Sequence, residues 1–122
     1  MSGYFQPNCA TLVLNPRQVP AEQGNPKVQG KVLYVSENKK ITHGIWESTP
    51  GVFKMTFSNE DSGLVLSGEA IAHFEDGTSW NLTAGTIYTF KAGTTIRLEI
   101  TKTWRKVFFN YYPEGTQLQI GY

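Results

Sequence analysis

From residue 31 onward the chain is a succession of short runs rich in β-branched and aromatic residues, each ended by turn-forming residues. The runs are "KVLYVS" (31–36), "KITHGIW" (40–46), "VFKMTF" (52–57), "GLVLS" (63–67), "EAIAHF" (69–74), "TSWNL" (78–82), "TIYTF" (86–90), "TIRLEI" (95–100), "WRKVFFNYY" (104–112) and "QLQI" (117–120). Such runs fit a pleated, half-buried surface. Between them stand "SENKK", "STPG", "SNEDSG", "EDG", "TAG", "KAG" and "PEG", with the Gly, Pro, Asn and Asp that tight turns demand. No segment keeps a 3.6-residue apolar period for three turns, which predicts almost no helix. Ten short strands at this spacing predict an all-β sandwich or barrel.

Alternation assigns faces. Ile96, Leu98 and Ile100 point one way while Thr95, Arg97 and Glu99 point the other. Ala70, Ala72 and Phe74 share one face, and Ile71 and His73 the opposite one. The Asp76-Gly77 pair is the strongest hairpin signal, since both residues tolerate positive φ.

Residues 1–29 read differently. Four of the six prolines (Pro7, Pro16, Pro20, Pro26) fall there, and proline fixes φ and removes a donor, so this is an extended arm. "TLVLN" (11–15) could add one short strand to it. The expected division is an arm at 1–29 and one domain at 30–122, the arm packing along the body or onto a neighbouring subunit.

Composition excludes some partners. Eleven Lys and Arg against ten Asp and Glu give a net charge of +1, which argues against nucleic acid or an anionic membrane surface as partner. Lys39-Lys40 and the basic residues of 102–106 read as a solvated turn and a solvated strand end. No apolar run reaches the ~18 residues of a membrane span, and the start lacks a secretory pattern. With one cysteine, Cys9, the expected compartment is the cytoplasm.

Five motifs in order then carry a resemblance. They are Gly44-Ile45-Trp46-Glu47, Thr49-Pro50-Gly51, Glu60-Asp61 with Leu66-Ser67-Gly68-Glu69, Gly85-Thr86 with Lys91-Ala92-Gly93, and Thr103-Trp104-Arg105-Lys106. Over roughly residues 20–112 the chain resembles the cupin superfamily, and within it the small single-domain proteins named after the (S)-ureidoglycine aminohydrolase cupin domain. The resemblance implies a double-stranded jelly-roll barrel, commonly dimeric, closing on an interior pocket. A homodimer in which 11–15 or 30–36 meets a second subunit is therefore expected.

In the superfamily's enzymes two His and a Glu from a first motif and a His from a second hold a divalent transition metal, since imidazole and carboxylate suit such ions. At the matching places this chain has Lys54, Met55, Thr56 and Phe57, then Asp61, then Ile96, with Thr86 and Lys91 replacing the residues that shape the second-motif turn. One carboxylate does not hold a transition metal, so no metal cofactor is expected. The fallback set is Asp61 with His73 or Glu60; His43 reads as an exterior residue. Cys9 has no activating partner, Ser48, Ser58, Ser62 and Ser67 have no recognisable base, and Glu47, Asp61, Glu69 and Glu99 read mostly as exterior charges.

What the alternation and the resemblance leave is an aromatic pocket with Trp46, Phe53, Met55, Asp61, Leu66, Tyr88, Trp104 and Phe108 as candidates. Three functions follow as expectations. The first is a small-molecule binder with a degenerate metal site. The second is a metal-dependent enzyme of the ureidoglycine aminohydrolase type, and the third a structural protein with a filled barrel.

Overall fold

The computed structural model describes residues 2–4 and 8–122, and its only regular elements among them are β-strands. In chain order these are β1 (Asn15–Arg17), β2 (Val28–Val35), β3 (Ile41–Ser48), β4 (Gly51–Thr56), β5 (Glu60–Phe74), β6 (Ser79–Thr83), β7 (Ile87–Phe90) and β8 (Thr95–Tyr111). All pairings are antiparallel.

The two long strands make the barrel. The second half of β8 pairs with β3 and with the first half of β5; its first half pairs with β4 and with the second half of β5. Residues Glu60 to Ser67 with their partners form one layer (β1-β2-β3-β8-β5-β7), and residues Glu69 to Phe74 with theirs form the other (β4-β8-β5-β6). Both long strands cross between layers at the same point, where the β5–β8 register slips between Val65 and Ala70. Gly68 sits in that slip with φ of 87°. A bulge bends a strand and sharpens its twist, which turns a flat ladder into the corner of a jelly roll.

Beyond the arm, seven strands (β2 to β8) therefore stand where ten were expected. "GLVLS" and "EAIAHF" are one bent strand, as are "TIRLEI" and "WRKVFFNYY", because a glycine bulge bends a ladder without ending it. Two further expectations are corrected. "QLQI" forms no ladder, and the arm's strand is Asn15–Arg17, with 11–14 outside it. Register favours the later residues: Asn15 lies opposite Gly30 and Arg17 opposite Val28, extending the β2 edge.

The faces follow the alternation. Ile96, Leu98 and Ile100 join Phe53, Ala70, Ala72, Leu82 and Trp104 in the core between the layers. The Asp76-Gly77 turn forms, with Asp76 Oδ1 accepting from the Thr78 amide at 2.9 Å and its hydroxyl at 2.7 Å. The arm lies along the body. Val19 and Ala21 pack against the core, Gln23 bridges Val52, and Arg97 binds Glu22 at 2.6 Å.

Candidate functional site

Between the layers lies a cavity of ≈ 490 Å³. Its apolar walls come from inward positions of three strands and a turn: Trp46 (β3), Met55 (β4), Leu98 and Phe108 (β8), and Phe57. Trp46 is held edge-on to Phe53 and Trp104, with ring centroids 5.9 and 6.0 Å apart, so its indole is fixed rather than free to rotate.

The most buried charges of the cavity form an ion pair. Asp61 points inward from β5 and Lys106 from β8, and Lys106 Nζ lies 3.3 Å from Asp61 Oδ1, their side chains 12% (Lys106) and 15% (Asp61) exposed. The ammonium also faces the rings of Trp46, Tyr88 and Trp104 at 5.4, 5.4 and 5.5 Å, distances at which cation–π attraction acts. Burial pushes the Lys106 ammonium towards losing its proton, but the Asp61 charge and the Tyr88 oxygen outweigh it and hold the group above the ordinary lysine range. Lys106 is thus a fixed cation and hydrogen-bond donor, not an amine nucleophile at neutral pH. An ammonium carries three donors, and Asp61 occupies one.

Tyr88 lies beside this pair, almost fully buried, its hydroxyl near the Lys106 ammonium but met by no partner in hydrogen-bonding geometry. Burial, only partly offset by the Lys106 charge, pushes its phenol up to about 12. A phenol whose folded value exceeds the unfolded value near 10 adds stability that is present below pH ~10 and lost as pH rises through ~12. Tyr88→Phe is therefore expected to lessen the fall in melting temperature between pH 10 and pH 12, leaving neutral-pH stability the same or higher. Parallel alkaline melts of the two proteins would count against this assignment.

The expected pocket residues divide. Trp46, Met55, Asp61 and Phe108 line the cavity. Phe53, Tyr88 and Trp104 lie in the core beside it, and the Trp104 indole N–H is spent on the Leu82 carbonyl at 2.9 Å. Leu66 is a correction. The inward series on β5 is Asp61, Gly63 and Val65, resuming at Ala70 after the bulge, so Val65 enters the core and Leu66 faces away.

The basic stretch 102–106 is a second correction, since two of its members are not solvated. Lys106 occupies the cavity, and Arg105, 8% exposed, is held on the opposite face. Arg105 donates to Glu47 at 2.8 Å and to the carbonyls of Cys9 and Leu12 at 2.8 and 3.2 Å, which ties the arm down. Sequence reasoning placed Lys106 in a motif but missed its role; alternation from Trp104 through Phe108 was the available signal. Arg17, at the cavity's edge, gave none.

The places matched to a metal site hold other chemistry. Ile96 is buried in the core, Lys54 and Thr56 face solvent, and Met55 and Phe57 are apolar wall. The fallback pair Asp61 and His73 lies on different layers, twelve residues apart along β5, and His73 bonds Glu99 at 2.9 Å on the outside. Among the described residues no three His, Cys, Asp or Glu side chains gather as a metal site. The inward carboxylate faces an ammonium, so this donor set does not fit a divalent transition ion.

The carboxylates read as exterior charges each meet a separate partner: Glu47 pairs with Arg105, Glu69 with Lys102, and Glu99 with the His73 ring nitrogen. Ser48 donates to the Thr49 carbonyl, and Ser62 meets Thr89. His43 is half-buried between Tyr34 and Phe109, and burial lowers its value. Among the described residues no helix is long and apolar enough to cross a membrane.

Comparison with known proteins agrees with the jelly-roll fold. Residues 35–108 match the model of the EutQ-like cupin domain. No curated protein matches the chain. Among solved structures, the EutQ protein of Clostridium difficile superposes with a TM-score of 0.64 at 18% identity, covering 71% of this chain and 69% of that one. A DUF861-family protein of Pseudomonas syringae superposes with a TM-score of 0.76 at 18% identity, over 82% of this chain and 45% of that one. The cupin domain of Schizosaccharomyces pombe Cnp3 does so at 0.66 and 12% identity, over 86% and 72%. Likeness at these identities extends to the fold alone, while the family match spans more than half of the chain; this jelly roll belongs to the EutQ-like cupin domain family.

Proposed function

We propose that this cupin binds a small molecule in the cavity between its layers, without a transition metal. The observation that carries the reading is the nearly buried Lys106 ammonium, which has one acceptor among the described residues for its three donors and faces open volume. Buried donors need partners, and a ligand oxygen supplies what the protein leaves out. The ≈ 490 Å³ volume lies within the ordinary range of ligand pockets, about 300–1,000 Å³, and favours this reading over a filled, purely structural barrel.

A fragment set of neutral and charged small molecules, followed through the Met55 methyl and Trp46 indole resonances, tests it. Fragments that shift both signals saturably are the expected result; a set that leaves both unmoved overturns the reading. In parallel, manganese, nickel or zinc is expected to change the melting temperature by no more than about 1 °C, because stabilisation by mass action requires affinity for the folded state. A larger shift, abolished by Asp61→Asn, would restore the metal-dependent enzyme.

A further inference from the structure

Three inward positions stand in one row across the first layer: Gly30 on β2 opposite Trp46 on β3, and Trp46 opposite Lys106 on β8. The guanidinium of Arg17 lies over the first of them. A Cβ built on Gly30 would stand 3.6 Å from Arg17 Nε and Nη2, ordinary contact distance that places the guanidinium against this position, and 3.0 Å from the Ile45 carbonyl, its one tight neighbour. Arg17 stacks on the Tyr122 ring at 3.8 Å and directs Nη1 to the carbonyls of Asn15 and Pro16 at 3.4 and 3.3 Å. No carboxylate pairs with it among the described residues, and its Nε and Nη2 donors have no partner there. The indole of Trp46 therefore lies between two cationic side chains. They differ in character: the Lys106 charge is balanced by Asp61, whereas the Arg17 charge is not.

At the Lys106 end the ammonium has donors to spare, and among the described residues no group donates to Asp61 Oδ2. One spare donor beside one spare acceptor matches a hydroxyl, which accepts from Lys106 and donates to Asp61. At the Arg17 end an unbalanced guanidinium with free N–H groups matches a carboxylate. The two ends are two strand spacings apart along the row, about 10 Å between backbones, and the wall between them is the indole and the apolar side chains of Met55 and Phe108.

We infer that the cavity is a two-ended site for a small, flat hydroxy acid: carboxylate on Arg17, apolar ring along Trp46, hydroxyl between Lys106 and Asp61. The inference rests on the binding reading above and names its ligand class.

The test uses 4-hydroxybenzoate as probe, with benzoate lacking the hydroxyl and 4-hydroxybenzyl alcohol lacking the carboxylate, each titrated against the Trp46 indole resonance. 4-Hydroxybenzoate is expected to bind saturably and at least about tenfold more tightly than either relative, since each loses one charge-assisted hydrogen-bond set. Arg17→Gln is expected to weaken 4-hydroxybenzoate about tenfold and leave the alcohol unchanged. The paired replacement Lys106→Met with Asp61→Asn, which keeps the cavity free of an unpaired charge, is expected to bring 4-hydroxybenzoate down to the level of benzoate. An alcohol that binds as tightly as the acid, or an acid indifferent to Arg17→Gln, overturns the ligand class while the cavity reading stands. If neither these probes nor the wider fragment set moves the Trp46 and Met55 signals, the cavity reading itself falls and takes this inference with it.

Discussion

Gly68→Val removes the folded state of this protein. Gly68 holds φ of 87° at the point where β5 crosses between layers, and a Cβ there would stand 1.9 Å from the Thr103 carbonyl oxygen and 2.7 Å from the Trp104 Cα. Both neighbours are backbone of β8, so neither can swing aside as a side chain would. A non-glycine residue in this conformation costs about 1–3 kcal/mol by itself. The backbone clash raises the total above about 4 kcal/mol, a large part of the roughly 5–15 kcal/mol available to a domain. The expected outcome is an insoluble protein or one without a cooperative melt in circular dichroism. Gly77→Ala is the control, because Gly77 has a φ of 92° with nothing within 4 Å of a built Cβ. It should cost about 1 kcal/mol, the conformational share alone. Equal melts for the two variants would mean that the crossing does not need the close approach.

Lys106→Met is the second large effect. The substitution removes a charge but leaves the Asp61 carboxylate 15% exposed among Trp46, Tyr88 and Phe108 with no cation beside it. Breaking a buried pair from one side costs about 3–5 kcal/mol, whereas replacing both partners costs far less. Lys106→Met should therefore lower stability by about 3 kcal/mol in denaturant titration, and adding Asp61→Asn should return most of it. A single variant within about 0.5 kcal/mol of the parent, the size of an ordinary surface change, would mean that the pair is wet and that the cavity floor is not what holds Lys106.

The two effects differ in how far the sequence announces them. Gly68 is visible as one glycine in a motif, but the sequence reads as two strands with a break there. A bulge and a loop have the same local composition, and only the pairing of β5 to β8 on both sides shows that the ladder continues. The same bulge moves the inward series by one position, which is why Val65, and not Leu66, enters the core.

Alternation gave the faces of residues 95–100 and 70–74 directly, because a period of two is a local property and each half-strand stays within one layer. That no histidine stands at 54–57, 61 or 96 was equally legible, being a matter of residue type. The role of Lys106 was only half legible. Its parity with Trp104 and Phe108 marks it as inward, yet a lysine in a basic run reads as solvated, since a lone ammonium is costly to bury. What lifts that cost is Asp61, forty-five residues away, brought beside it by the pairing of β5 with β8.

Arg17 was not legible at all. It stands in a proline-rich arm with no periodicity, and its place over Gly30 depends on the arm docking at the β2 edge with Asn15 opposite that glycine. The sequence by itself determined the strand content and the inward faces of residues 70–74 and 95–100, because each follows from residue type and a two-residue period. The bent long strands, the ammonium–carboxylate pair and the second cation beside Trp46 were decided by tertiary structure alone, because each needs residues distant in the chain to meet in one register.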